Sequence, residues 1–362
     1  MTQFLKFALG LLIVTGLAST NALAFPETSR HGYLSCTTCH FSPSGRGLLT
    51  PYGKTLAHEL YSFKKTENPS DSLEAETPWW QIGGHIRMIQ LINDSKSLQK
   101  GRFFLMQSEI EGAIEKESWA LVASAGVWKP MDSSASEVKG YSRTHYALLR
   151  LNENWVVRGG HFRINHGLGL PDHTALVNQA LEWTHSHETY NLEASYLEDS
   201  NILQGTLIAP SKLLVTAETI YGTSVTAAHL WNSKQKLGIN LSRFIRSDES
   251  ELQANIHTIL ALSDTVYLQA ELAQRKIESN PRRQQYALFS RLSHDWNLGI
   301  KPFVQFENAV IDRNQHLSAQ RYALGAEWFP MVNFDLFTLI GKESQTMDED
   351  TLVFNAIGHF YF

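Results

Sequence analysis

Residues 282–309, "RRQQYALFSRLSHDWNLGIKPFVQFENA", carry a two-residue period on both sides of a short polar break. Before the break, Tyr286, Leu288, Ser290 and Leu292 fall on one face and Gln285, Arg291 and Ser293 on the other. After it, Leu298, Ile300, Val304 and Phe306 oppose Lys301, Gln305 and Glu307. Successive strand side chains point to opposite faces, so the pattern predicts two strands, each with one apolar and one polar surrounding. Asp295, Trp296 and Asn297 leave room only for a tight hairpin between them.

The design recurs from Trp79 to the last residue. It predicts sixteen strands, at 81–92, 102–115, 117–128, 141–151, 154–165, 189–198, 201–209, 223–232, 235–246, 250–262, 265–276, 283–294, 297–309, 318–329, 332–343 and 351–362. Three-residue breaks such as 116–118, 152–154, 263–265 and 331–333 alternate with longer ones at 129–140, 166–188, 210–222, 309–317 and 344–350. The segment 210–222 reads as a loop with a short helix or as a further strand. A secreted β-sandwich or propeller is the alternative, but it has no reason to sort its turns by parity. A membrane barrel has short turns at one end, longer loops at the other and an even strand count. The final strand, "TLVFNAIGHFYF" (351–362), closes an amphipathic run on Phe362, which resembles the C-terminal signature of bacterial outer-membrane proteins. Trp79, Trp80, Trp119, Trp128, Trp155, Trp231, Trp296 and Trp328 lie near strand ends, where interfacial girdles belong. The predicted fold class is all-β: a transmembrane antiparallel β-barrel over 79–362.

Composition agrees. Hydrophobic residues make up 43% of the chain and charged ones 19%. Beyond Leu23 no apolar run approaches the ~18 residues a spanning helix needs. The 36 acidic and 31 basic residues give a net charge of −5, and no basic run suggests nucleic acid. Residues 1–24 read as a bacterial secretory signal peptide: Lys6, an apolar stretch from Phe7 to Leu17, then Ala22-Leu23-Ala24 as the cleavage site.

Residues 25–66 lack the alternation of the strand array, and 67–78 read as a linker. The segment 25–66 is too small for a core of its own, which predicts a plug or cap, with a short helix over 55–65. It holds the only two cysteines, in "CTTCH" at 36–40. Two thiols separated by two residues can both reach one porphyrin from a single turn, and the following imidazole can then bind the iron. Cys36, Cys39 and His40 are therefore the predicted sites of one covalently bound haem c, with His40 as the proximal iron ligand. A thioredoxin-type pair needs a βαβ context, zinc needs a fourth ligand, and a plain disulfide leaves His40 unexplained. For the distal position the candidates are His31 and His58, with the lumen-facing His85 as another.

This layout resembles the fused outer-membrane monohaem cytochrome–porins of iron-oxidising bacteria. The likeness rests on the signal peptide, the single Cys-x-x-Cys-His near the mature start, Arg30 before it, "LLTPYGKTL" (48–56) after it, and the strand array to the C-terminus. It implies a haem domain on the periplasmic side of the barrel or inside it. It also implies electron transfer between an extracellular donor or acceptor, Fe(II) or a mineral among them, and a periplasmic c-type cytochrome or other redox protein. The competing expectation is a solute porin plugged or gated by the small haem domain; a soluble secreted cytochrome is a third.

Alternation also predicts the lumen lining: Gln81, His85, Arg87, Gln107, Glu109, Glu111, Glu271, Arg291, Glu307, Arg321 and Glu327. The long segment 166–188 reads as an external loop. Its His173, His185 and His187 are a candidate metal or substrate site on ligand chemistry alone.

Overall fold

The computed structural model describes residues 36–56 except 46 and 55, and 79–362 except 96–98, 129–138, 171, 173, 184–186, 214–217, 233, 247–248, 280–281, 297–298, 313–316, 332 and 347–349. The signal peptide, the linker 67–78, His31, His58, His173 and His185 lie outside the described residues.

The strands are β1 (Trp80–Asp94), β2 (Gln99–Lys116), β3 (Trp119–Trp128), β4 (Lys139–Tyr141), β5 (His145–Arg150), β6 (Trp155–Arg163), β7 (Glu188–Leu197), β8 (Asn201–Lys212), β9 (Thr219–Trp231), β10 (Gln235–Arg246), β11 (Glu249–Ala261), β12 (Val266–Glu278), β13 (Arg283–His294), β14 (Ile300–Asp312), β15 (Leu317–Met331), β16 (Phe334–Gln345) and β17 (Thr351–Tyr361). Apart from β4 and β5, successive strands pair antiparallel, and β1 pairs with β17, so the sheet closes. Strands β4 and β5 both pair with β3 and form one interrupted stave, which gives a sixteen-stave barrel. Closure removes the edges that an open sheet would leave unpaired. The last residue takes part: Phe362 N donates to Gly84 O at 3.3 Å and Gly84 N to Phe362 O at 3.2 Å. The ambiguous 210–222 resolves into longer strands, β8 reaching Lys212 and β9 starting at Thr219.

The barrel is apolar outside and polar inside. Ile110, Leu121, Leu192, Leu207, Val225, Ile239, Leu241, Leu324 and Ile340 are all exposed on the outer face. A surface of this kind suits hydrocarbon rather than water. Glu109, Glu111, Glu271, Arg291, Glu307 and Arg321 point inward and are buried, as alternation predicts. A bulge between Arg87 and Met88 opposite β2 resets the parity there, so the inward register of β2 shifts. Aromatic side chains are exposed at both ends of the barrel among the described residues. Trp80, Trp155 and Trp328 sit exposed at the short-turn end, while Tyr190 and Tyr221 are exposed at the long-loop end.

Candidate functional site in the barrel lumen

Two segments fill the lumen. The first is 164–187. The sequence reading placed it outside as an external loop, and the structure corrects this: it folds into the barrel. Its helix α1 (Leu176–Ala180) and neighbouring Leu170, Ala175, Leu181 and Trp183 are buried against Ala273, Ala287, Phe289, Ala309 and Ala319 of β12–β15. Inward alanines on four adjacent strands leave the room, and an apolar run this dense would be costly in water.

The polar groups of the segment are met by the wall. Leu168 N donates to Glu271 Oε2 at 2.9 Å and Gly167 N to Asn240 Oδ1 at 2.9 Å. Leu176 N donates to Glu307 Oε2. Arg321 Nη1 donates to Thr174 O at 2.9 Å, and Asn355 Nδ2 to Thr174 Oγ1 at 2.7 Å. Trp183 Nε1 donates to Gln253 Oε1. The segment thus reaches strands on opposite sides of the barrel and crosses the pore.

Gly167 is required where it stands. Its φ is +55°, and a Cβ there would lie 2.2 Å from Glu271 Oε1. Gly167→Val is expected to cost the docked loop about 2 kcal/mol or more. Hydrogen exchange at the Leu168 amide, protected by Glu271 in the wild type, reads the loss.

His187 was one of three candidate metal ligands. It lies against Trp183, with ring centroids 5.5 Å apart. Among the described residues no group of three His, Cys, Asp or Glu could hold a metal ion. Burial, then Arg163 and Arg246, push His187 down to about 3. An undocked His187 titrates near ~6.5. The docked loop therefore keeps its full stability above that value and loses it as pH falls toward about 3. At pH 5 the loss is about 2 kcal/mol. Acid-induced exposure of Trp183, followed by its fluorescence, is expected to shift to lower pH in His187→Phe.

The second segment is 36–56, at the short-turn end. Phe41 and Leu48 are buried with Ala113, Ala120, Tyr146, Leu148 and Phe162 of the wall. Leu48 sits on Gly83, where a Cβ would be 2.5 Å from its Cδ1. The neighbouring Gly84 makes the same space for the Phe362 ring at 2.6 Å. Arg158, 1% exposed, holds the segment most firmly. Its guanidinium pairs with Glu193 at 2.8 Å, lies 3.7 Å over the Phe162 ring, and donates to Ser42 Oγ at 2.8 Å and to Ser44 Oγ. Gln204 Nε2 adds a bond to Pro43 O at 3.4 Å, and Lys54 Nζ one to Ile82 O at 3.2 Å.

The CTTCH motif opens this segment. Cys36–Thr38 is a 3-10 turn, with His40 N bonded to Cys36 O at 2.8 Å and Cys39 N to the same oxygen at 3.2 Å. Cys36 and Cys39 are not joined in a disulfide. Gly45, at φ +69°, folds back under the motif: a Cβ there would lie 3.4 Å from Cys36 Sγ and 4.0 Å from His40 Cδ2. Burial and the neighbouring Cys36 thiol push Cys39 up to about 11. A reactive redox pair needs the opposite shift. The helix predicted over 55–65 begins earlier, at 51–54, and 57–65 lie outside the described residues.

Sequence reading found the motif and the lining but missed Arg158, Gly83 and the inward alanines. The one available signal for Arg158 was an arginine in the inward register of Val156 and Phe162. Its partner Glu193 is 35 residues away, and nothing in the local pattern pairs them. His85, a distal-ligand candidate, is engaged elsewhere: its Nδ1 is 2.9 Å from His359 Nε2.

No family model matches the chain, and no curated protein matches its sequence. The fold is that of solved porins. An anion-selective porin from Comamonas acidovorans superposes with a TM-score of 0.61 at 10% identity, over 78% of this chain and 99% of that one. OmpT of Vibrio cholerae gives 0.57 at 10% identity, over 79% and 99%. The outer membrane channel DcaP of Acinetobacter baumannii gives 0.54 at 11% identity, over 78% and 97%. The shared part is the size of the barrel, and at these identities the likeness shows the fold alone.

Proposed function

We propose that the protein is a porin-type channel of the bacterial outer membrane whose pore is plugged by its own residues 36–56 at the periplasmic mouth and narrowed by 164–187 further in. Supporting this are the apolar outer face, turns sorted by length, the Phe362 closure and the porin fold. The observation that carries it is Arg158, a wall residue whose guanidinium donates to Ser42 and Ser44 of the plug. Planar-bilayer recording tests it: the intact chain conducts little, and loosening the plug raises conductance.

A second reading rests on the motif: the plug carries one covalent haem c. The donor set fits, with two thiols and an imidazole on one turn. Cys36 and Cys39 would hold the group through thioether bonds, and His40 would bind its iron. Such a group supplies one-electron chemistry when bound. The barrel wall would shield it from lipid, and its place at the short-turn mouth would face a periplasmic c-type cytochrome or other redox protein. An external donor or acceptor, Fe(II) or a mineral among them, would exchange electrons from the other side. Vesicles enclosing a redox dye test this: dye that stays unchanged when donor is added outside to haem-loaded protein excludes electron transfer.

A further inference from the structure

On the outer face of β9 to β13, the apolar belt ends toward the long loops in a row that carries two cations. Register sets Thr223, Arg243, Leu252, Lys276 and Gln284 side by side on these strands. Parity turns the row outward: Ser242 and Phe244 beside Arg243, and Arg275 and Ile277 beside Lys276, are buried in the lumen. Arg243 and Lys276 therefore flank the exposed Leu252. They stand two strand spacings apart, about 10 Å, and long basic side chains can lay their stems on apolar surface and meet across it.

The height of the row decides what it touches. From Gln235 to Arg243 strand β10 climbs roughly 20 Å, at about 3.3 Å per residue and a tilt of about 40°. The apolar band of such a barrel is about 25 Å tall. On the short-turn side of the row, Val225, Ile239, Leu241 and Ile256 are exposed and apolar. Beside Lys276 the surface turns polar: Gln274 Nε2 donates to Tyr286 Oη at 3.1 Å, and Tyr286 Oη to Gln284 Oε1 at 3.1 Å. The row thus lies where hydrocarbon gives way to headgroups, and a cation there costs the barrel little.

Among the described residues neither cation has a carboxylate partner. Arg243 Nε donates to Ser250 Oγ at 3.4 Å. Glu278, one row above Lys276, pairs with Arg282 at 3.6 Å, and Glu249 pairs with Arg283 at 2.9 Å. Elsewhere on the outer rim Lys342 is neutralised by Asp350 at 2.5 Å. We propose that Arg243 and Lys276 bind the phosphate headgroup of an outer-leaflet lipid, whose acyl chains lie on Leu241, Leu252 and Ile256. A lipid answers both halves of the patch, with an anion for the cations and hydrocarbon for the belt below them. The site rests on the outer-membrane reading with the long loops outside, and not on the plug.

The test is native mass spectrometry of the full chain, released from detergent micelles that contain lipid A, dephosphorylated lipid A or inorganic phosphate alone. The wild type is expected to retain lipid A and neither of the others. Arg243→Gln with Lys276→Gln is expected to bind it about thirtyfold more weakly, each cation at a membrane surface contributing about a factor of five. Arg243→Lys with Lys276→Arg keeps both charges and should keep the lipid. Equal retention of the two lipids, a comparison that needs no variant, overturns the site. So does equal retention of lipid A by the glutamine variant, or inorganic phosphate held as firmly as lipid A. A wild-type dimer that lipid A does not dissociate would mean that a second copy covers this face, and overturns it as well. A chain that dissolves without detergent sinks the outer-membrane reading itself; a detergent-folded chain that ignores the phosphate sinks only the lipid site.

Discussion

Arg158→Ala is expected to open the pore without dismantling the barrel. The plug contributes two hydroxyls to this guanidinium, and hydrogen bonds to a charged group contribute about 1.5–3 kcal/mol each. Losing both shifts the plugged-to-open ratio on the order of a hundredfold or more. The substitution also leaves Glu193 buried without its cation, which costs the barrel about 3–5 kcal/mol. Ser42→Ala combined with Ser44→Ala avoids that second effect, because the Arg158–Glu193 pair at 2.8 Å stays intact. The double serine variant should therefore raise conductance while its thermal unfolding matches the wild type. Conductance unchanged in both variants would mean that Arg158 does not hold the plug.

Covalent haem is the prediction with the largest all-or-none effect. Expressed with a cytochrome-maturation system, the mature chain is expected to run as a haem-staining band after denaturation, its mass raised by one haem. Cys36→Ala with Cys39→Ala should abolish the stain entirely. His40→Ala should retain attachment but change the visible spectrum, since the thioether bonds and the iron ligand are separate contacts. The barrel should assemble equally in all three, because β1–β17 closure involves none of these residues. A colourless wild-type chain would remove the electron-transfer reading and leave the plugged pore standing.

What was legible in the sequence was what alternation records. Strands β10 and β13 have the predicted bounds, and every predicted lumen residue from Gln81 to Glu327 points inward, because a period of two leaves no choice of face. In sequence alone, the histidines of the inward loop point to an external metal site. The loop's apolar residues, Leu168, Leu170, Leu176, Val177, Leu181 and Trp183, were the better guide, since an external loop has nowhere to bury them. The alanines at 273, 287, 309 and 319 were visible as inward positions, but that they line one hollow follows only from strand register. The same holds for the histidine pair: His85 and His359 are 274 residues apart, and only closure of the barrel brings them together. The CTTCH motif was legible as chemistry, whereas its seat on Gly83 and Arg158 was not, because those contacts join segments with no shared local pattern.

Single-channel conductance of the intact chain, set beside the same chain lacking residues 36–56, tests the central claim most directly. The expected result is a nearly silent intact protein and a truncated one with larger, frequent openings, limited only by the segment 164–187. Equal conductance in the two would contradict it.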